Sequence, residues 1–596
     1  MQNILQSPVI YLSRKMYFYA FDRRKKIILA TTMFVLANIA DAVQPLIFGY
    51  FLDFIQKNGV SRGNLPNLFF TLLLFLLAEL IFWVFWGPAR LIEQETAFLT
   101  RKNYKEYLLK GVMALPLGWH ADRHSGNTID KIEKGSNAIF SFSEGSFMFI
   151  QAFVRLAIAV GVLIYFSFYA SLGVMVVCFL TFYIMFLYDK KLIPGYRAVN
   201  RLENSISAKV YDVISNITTV IILRVESLVF KSLGQAIDSP FPQFKKNILN
   251  SELKWFWAAS LGQLSVILAI GIYLFGSISA GEIILVGSIF ILYSYAAKVK
   301  ETFFSFAHLY NDSVRWRSNI ANAEEISKDF ADLELSKSKR LPADWSMLSI
   351  KNLSFSYHDQ EGADLHLDNV NVDLKKGEKI ALIGESGGGK TTFLKLLRGL
   401  YPHKTLTLEV DRQRIGGDFN LISDSISLIP QDPEIFSTTI RENITLGIEY
   451  GDGEVKTYTD LAAFSDVVDR LPNRLDSSIV EKGVNLSGGE KQRLALARGL
   501  LASRDKDIML LDEPTSSVDF HNELEIYENI FSSMPEKTII SSVHRLHLLP
   551  LFDNIFFFKE GKIIARGNLK ELKEKSPDFD KLWTKYLESH ETEREI

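Results

Sequence analysis

The first half of the chain alternates between long apolar runs and charged stretches. Six runs approach the roughly 20 apolar residues that carry a helix across a bilayer core. They cover residues 27–55, 68–85, 147–166, 170–187, 257–275 and 283–297. Most lack the polar stripe that a helix on a soluble core keeps, so six membrane spans are predicted. Runs three and four, and five and six, are joined by short loops without Lys or Arg. The first loop carries only Lys57 and Arg62. The segments after runs two and four are long and basic. They hold Arg90, Arg101, Lys102, Lys105 and Lys110, then Lys190, Lys191, Arg197, Arg201, Lys209, Lys231, Lys245 and Lys246. Basic loops stay cytoplasmic, so both segments and both termini are expected there, on helices that project beyond the bilayer. Pro8 to Asp22 is aromatic and basic by turns and reads as a segment lying along the membrane surface. The Arg23-Arg24-Lys25-Lys26 cluster before the first run is the pattern of an inserted span rather than a cleavable signal.

After residue 297 a helical pattern persists to residue 326. Residues 327–345 turn polar, with Pro342, and are read as a linker. Beyond them short strands alternate with helices, as in an α/β domain. Leu348-Ser349-Ile350, Ser354-Phe355-Ser356-Tyr357 and Val370-Asn371-Val372-Asp373-Leu374 read as strands, the last ending at a Lys376-Gly377 turn. The apolar run Ile380-Ala381-Leu382-Ile383 leads into Gly384-Glu385-Ser386-Gly387-Gly388-Gly389-Lys390-Thr391-Thr392, and Phe393-Leu394-Lys395-Leu396-Leu397 continues as a helix. Strand, glycine loop and helix is the context of a phosphate-binding loop, and the spacing fits G-x-x-x-x-G-K-[ST]. Glycines let backbone N–H groups turn inward around a phosphate, and the helix N-terminus adds its positive dipole end. Lys390 is then expected on the β/γ-phosphates and the Thr391 hydroxyl on Mg²⁺.

Composition changes this picture little. A chain of 596 residues holds at least two domains. A net charge of -2 does not steer it to nucleic acid. The single cysteine, Cys178, excludes an intrachain disulfide framework and a cysteine zinc site, and reads as a small buried or lipid-facing residue. Several polar residues stand at membrane depth. Asn38, Asp41 and Gln44 share one face of the first run, Glu79 lies in the second, and Gln151 and Arg155 in the third. Such residues face a bundle interior or a wet pathway. They fit either a polar translocation route or a locking pair such as Asp41 with Arg155.

The octamer Leu486-Ser487-Gly488-Gly489-Glu490-Lys491-Gln492-Arg493 opens an apolar helix, with a hydroxyl and two glycines at its start. With it, the second half resembles the ATPase domain of the ATP-binding cassette superfamily. The remaining marks follow in that family's order. The resemblance implies that Asp512, at the end of Ile508-Met509-Leu510-Leu511, holds Mg²⁺ through water, and that Glu513 is the general base. It implies that Gln431 touches Mg²⁺ and the attacking water, that His544 contacts the γ-phosphate, and that Tyr357 stacks on adenine. The loop Ser516-Ser517-Val518-Asp519 resembles the one that crosses between two ATPase domains, placing Asp519 near the nucleotide.

The first half resembles the membrane domain of six-helix exporters of the same superfamily. Pro45, Gly49 and Asp53 fit its first span. Leu115 to His120 with Ser125-Gly126, and Tyr211 to Glu226, resemble its two coupling segments. The expected architecture is an all-α membrane domain of six transmembrane helices with long cytoplasmic extensions (1–326), followed by an α/β P-loop ATPase domain with a helical subdomain (346–575) and a charged tail (576–596). The resemblance implies ATP sandwiched between Lys390 of one subunit and Ser487 and Gly489 of another. It thus implies a homodimer with ATP and Mg²⁺ as cofactors, exporting or flipping a hydrophobic or amphipathic substrate across a membrane, as in the bacterial inner membrane. Half of a heterodimer, or an ATP-gated channel or regulatory protein on the same scaffold, stays open. The sequence departs from the family at Val480-Glu481-Lys482-Gly483, at Ser517-Val518, and in residues 401–421, which match the usual strand-turn-strand poorly.

Overall fold

The computed structural model describes residues 7–121, 123, 125–331, 340–356, 366–401, 405–432, 434–479 and 486–594. The chain divides into two compact units. One comprises Met1–Met113 and Ser125–Phe330, and the other Ala114–His124 and Ala331–Ile596.

The first unit is helical: α1 (Pro8–Tyr19), α2 (Arg24–Asn58) and α3 (Leu65–Met113), then, after α4 (Leu117–Ala121) of the second unit, α5 (Ser125–Glu144), α6 (Ser146–Phe166), α7 (Phe168–Ser215), α8 (Ile217–Ile222), α9 (Glu226–Asp238), α10 (Phe241–Ser279) and α11 (Val286–Ala331). Among the described residues, five helical stretches are long and apolar enough to cross a membrane: Phe21–Asn58, Leu65–Met113, Ser125–Phe166, Phe168–Ser215 and Glu226–Ser279. These contain the first five expected spans. The run at 283–297 differs. Its first residues precede α11, and Lys298, Lys300 and Glu301 interrupt the apolar part of that helix. The 49 residues of α3 give a rod of roughly 74 Å at 1.5 Å per residue, far longer than a ~30 Å bilayer core. Ser167 alone separates α6 from α7, its backbone extended and its hydroxyl capping α7.

Small residues let these helices approach. A side chain at Gly287 would collide with the Gly49 carbonyl, only 1.9 Å from an ideal Cβ. Asp53 Oδ1 accepts from the Gly287 amide at 2.6 Å, and Gln56 accepts from the Val286 amide at 2.7 Å while donating to the Ile284 carbonyl at 3.0 Å. The C-terminal end of α2 is thereby fastened to the N-terminal end of α11. Of the two readings of Cys178, the structure shows the buried one.

The second unit holds two sheets. Strands β1 (Met347–Phe355), β2 (Leu367–Lys375), β4 (Thr405–Val410) and β5 (Gln413–Gly416) form an antiparallel sheet in the order β2-β1-β4-β5. Strand β3 (Lys379–Gly384) belongs to the second sheet with β6 (Ile426–Ile429), β7 (Ile508–Asp512), β8 (Thr538–Ser542), β9 (Asn554–Lys559) and β10 (Lys562–Gly567), in the order β10-β9-β3-β8-β7-β6. All neighbours in it are parallel except β10 and β9.

Strand side chains alternate between faces, and both faces of this sheet are covered. Ile380, Leu382, Leu510 and Ile540 join the core shared with β1, β2, β4 and helix α12 (Lys390–Leu397). Ala381, Ile383, Leu511 and Ile539 join the opposite core. Helices α13 (Ile440–Thr445), α14 (Asp452–Leu461), α15 (Ser465–Arg470), α16 (Gly488–Ala502) and α17 (Phe520–Ser533) contribute to that second core.

The sequence expectations need three adjustments here. Within the poorly matching stretch, residues 405–416 do form strand, turn and strand. Its turn is Asp411-Arg412, with φ of 49° and 69°. Leu341 and Trp345, read as linker, are buried in the antiparallel core. Helix α18 (Leu569–Lys575) closes the ATPase domain, and the tail that follows forms helix α19 (Pro577–Arg594), whose Phe579 is fully buried in the second core.

Candidate active site

The expected phosphate loop sits at the end of β3. Gly384 has φ +140° and its ideal Cβ would lie 2.1 Å from the Phe558 carbonyl oxygen, so only glycine fits against β9. Gly387 and Gly389 also have positive φ (80° and 105°), curling residues 384–389 into the start of α12. Glu385 closes the curl by accepting from the Gly388 amide at 3.1 Å. Lys390, the first residue of α12, is buried. Its ammonium donates to the carbonyls of Gly384 (2.7 Å) and Glu385 (3.1 Å). Burial pushes the Lys390 pKa down, and the nearby Glu513 and Asp512 carboxylates oppose that shift. Thr391 donates from Oγ1 to Asp512 Oδ1 at 2.9 Å. Ser386 completes the loop, and Thr392 is buried behind it. Burial pushes the Asp512 carboxyl above its ordinary range, against the Thr391 hydrogen bond.

Beside Asp512 the chain leaves β7, and Glu513 adopts a left-handed φ of +48°, unusual for a residue with a side chain. The turn aims its carboxylate at two partners. Gln431 Nε2, from just after β6, donates to Oε2 at 2.8 Å. His544 Nε2, from just after β8, stands 2.6 Å from Oε1. Three adjacent parallel strands thus deliver Gln431, Glu513 and His544 to one point at their C-terminal ends, where open α/β sheets place their ligands.

The residues of the octamer belong to a neighbouring group. Ser487 caps α16 in a capping box: Ser487 Oγ accepts from the Glu490 amide at 3.3 Å, and the Ser487 amide donates to Glu490 Oε2 at 2.8 Å. Gly488 and Gly489 form the first turn, and Gly489 passes so close to the Ser517 carbonyl that a Cβ would stand 2.7 Å away. Asp519 caps α17 by accepting from the Asn522 amide at 3.1 Å and side chain at 2.6 Å, and these bonds pull its pKa down. Tyr357 and the Val480-to-Gly483 departure lie outside the described residues.

Sequence reasoning missed Gln492 as a functional residue, although it lies inside the octamer. Its amide donates to the Gln431 carbonyl (3.3 Å) and to Ser516 Oγ (2.7 Å), and accepts from the Ser517 amide (2.7 Å). One side chain therefore ties the Gln431 loop, the 516–519 loop and the α16 turn together. Arg545 was missed too. It bridges the Val518 carbonyl (2.9 Å) and the buried Glu523 (3.0 Å), which also accepts from Thr515 Oγ1 at 2.6 Å. Only its place beside His544 could have drawn attention to it.

A glycine loop with phosphate-loop geometry on one unit and long apolar helices on the other define the class, a membrane protein carrying a nucleotide-binding domain. Residues 27–297 match the ABC transporter transmembrane region family and residues 367–516 the ABC transporter family. The chain belongs to the ABC transporter family, whose ATP-binding domain couples ATP hydrolysis to transport. The protein is similar to microcin-J25 export ATP-binding/permease protein McjD of Escherichia coli, with 26% identity over 587 residues, covering 93% of this chain and 96% of that one. It is also similar to ATP-binding cassette sub-family B member 6 of Mesocricetus auratus, with 27% identity over 559 residues and 91% of this chain. There it spans only 62% of the relative's length. The fold resembles that of a bacterial Atm1-family ABC exporter solved with ATP bound, at a TM-score of 0.77, 21% identity, and coverage of 94% and 99%.

Proposed function

We propose that this chain is a half-transporter that works as a homodimer, exporting a hydrophobic or amphipathic substrate by alternating access. The observation that carries it is Glu513, held between Gln431 and His544 beside Lys390, Thr391 and Asp512. A carboxylate so placed orients and polarises a water for attack on the γ-phosphate, and Lys390 and the glycine loop hold the phosphate chain. His544 steadies Glu513 and reaches toward the γ-phosphate. Thr391, Asp512 and Gln431 offer the hard oxygen donors that Mg²⁺ takes, and Thr391 and Asp512 already meet at 2.9 Å. These residues would hold Mg²⁺, which would supply charge neutralisation to the phosphates.

Ser487, Gly488 and Gly489 open a helix, the geometry that binds phosphate, yet they group with residues 516–519 rather than with the loop at 384–392. The arrangement of the ABC transporter family supports reading their phosphate as that of a nucleotide on the partner subunit, which makes two chains the working unit. Six spans per chain follow if α11 crosses with its charges turned inward, as polar residues at membrane depth do. The basic segments put the ATPase unit in the cytoplasm, as in a bacterial inner membrane.

The test is Glu513→Gln in the purified full chain. ATP is expected to remain bound and to trap a dimer while turnover falls by about 100-fold or more. Unimpaired turnover, or a fully active monomer by light scattering, refutes the proposal.

A further inference from the structure

Three helices meet at a charged cluster in the membrane unit. Arg155, near the midpoint of α6, points its Nη2 to Asp41 Oδ2, at the midpoint of α2, at 3.2 Å. Lys298 of α11 lies 3.5 Å from the same carboxylate oxygen. With its amide oxygen turned toward α6's next turn, Gln151 accepts from Arg155 Nη2 at 2.8 Å and Nη1 at 3.2 Å. Arg155 Nε is buried with no hydrogen-bond partner. Two cations therefore share one carboxylate. The other carboxylates on and around these helices do not balance them. Asp53 accepts from the Gly287 amide, Glu79 is held by Gln44 (2.9 Å) and Trp83 (3.0 Å), and Glu301, one turn past Lys298 on α11, is exposed to solvent. A surplus positive charge at membrane depth is costly unless an anion meets it. Nor is the cluster sealed, since the side chains of Arg155 and Lys298 remain 33% and 23% exposed.

The same three helices bound an open cavity of about 400 Å³, lined by Leu46, Tyr50, Asp53, Val162, Phe166 and Ile291. Val162 follows Arg155 by seven residues and Ile291 precedes Lys298 by seven, so on these antiparallel helices both lie about 10 Å to the same side of the cluster. Leu46 and Tyr50 follow Asp41 to that side as well. The cavity is apolar and aromatic, and its one carboxylate lies away from the cations.

We propose that the cluster and the cavity form a single substrate site for an amphipathic anion. Its carboxylate or phosphate head lies on Arg155 and Lys298, and its apolar body lies in the cavity about 10 Å away. Asp41 holds the two cations in place and competes with the head, so it sets the affinity. This inference rests on the transporter reading and names the cargo class for it.

The test uses the full chain in nanodiscs and measures ATPase rate against decyl phosphate, decanoate, decanol and decyltrimethylammonium, below micelle formation. Each variant is compared with its own basal rate. The two anions are expected to stimulate, and the alcohol and the cation are not. Arg155→Gln and Lys298→Gln are each expected to raise the half-maximal anion concentration by roughly tenfold or more, through loss of a charge-assisted hydrogen bond. Asp41→Asn is expected to lower it, an opposite shift that damage to the fold would not produce. Discs of zwitterionic and of anionic phospholipid separate the sources. Stimulation by anionic lipid alone marks a lipid cargo, stimulation only by added probe marks a free amphiphile, and both support the site. Equal responses to all four probes, or an anion response unchanged in both glutamine variants, overturn it. If Arg155→Gln does not fold, Lys298→Gln and Asp41→Asn carry the test. A chain whose Glu513-dependent ATPase ignores every anion loses this site and keeps the transporter reading. A chain without Glu513-dependent ATPase loses the transporter reading itself.

Discussion

Gln492→Met separates positioning from chemistry at the ATPase site. Methionine keeps the length and bulk of glutamine in a position that is 7% exposed, so the packing of α16 survives. What is lost is polar: the bonds to the Gln431 carbonyl, to Ser516 Oγ and from the Ser517 amide. At a net of about 1 kcal/mol for each bond, the three together hold the two loops with about 3 kcal/mol. Gln431 is the residue that donates to Glu513, so a loop free to drift misplaces the carboxylate in the transition state. If all of that energy is expressed there, turnover falls by about 100-fold, since each 1.4 kcal/mol is a factor of ten. If half is, the loss is about tenfold. Nucleotide affinity is expected to hold, because the loop at 384–392 and Lys390 make no bond to Gln492. The assay is steady-state ATP turnover of the full chain, paired with binding of a fluorescent nucleotide. Unchanged turnover in Gln492→Met, or a loss confined to affinity, refutes the reasoning.

Other outcomes follow from the same geometry. Gly384→Ala would drive a Cβ into the Phe558 carbonyl, a backbone atom that cannot step aside. It is expected to cost about 1–3 kcal/mol or more, to lower the thermal midpoint, and to abolish nucleotide binding; a wild-type melting curve would contradict this. Asp512→Asn is expected to raise the thermal stability of the nucleotide-free protein while removing Mg²⁺-dependent turnover. The sign comes from burial. The folded Asp512 pKa is raised, so the native state holds a proton to higher pH than the unfolded chain, and stability falls as pH climbs from about 3.9 to the raised value. The advantage of the asparagine variant should therefore grow across that window and persist above it. A melting profile that gives it no advantage at neutral pH counts against the burial argument.

Much of the ATPase unit could be read from the chain because its marks are local. A glycine loop between an apolar strand and a helix announces itself, and so does an apolar strand ending in Asp512-Glu513. The hairpin at 405–416 escaped because its turn is Asp411-Arg412. Two left-handed residues are usually written Asn-Gly or Asp-Gly. Here Asp411 accepts from the Ser346 amide (3.1 Å) and the Met347 amide (2.9 Å), a tertiary reward invisible in sequence. Trp345 and Phe579 escaped for a related reason, since charged neighbours masked single aromatic anchors whose pockets form only in the fold. In the membrane unit Asp41 with Arg155 was foreseen as a pair. Lys298 was not, because it stands just past the apolar run that defined the sixth span. Gln492 shows the limit most clearly: its residue type was in plain view, but its three partners come from two distant loops.

The fastening of α2 to α11 has a mechanical meaning. Helix α11 is 46 residues of unbroken helix, a rod of roughly 69 Å at 1.5 Å per residue. One end leads into the ATPase unit along the chain. The other is clasped to α2 by Asp53 and Gln56, with Gly49 and Gly287 in contact beneath. A stiff rod with a fixed far end does not dissipate a push. Because the clasp joins the two helices, a displacement of α11 at that end carries the end of α2 with it. Any opening at that end must then break elsewhere in the bundle, and this clasp must travel as one piece.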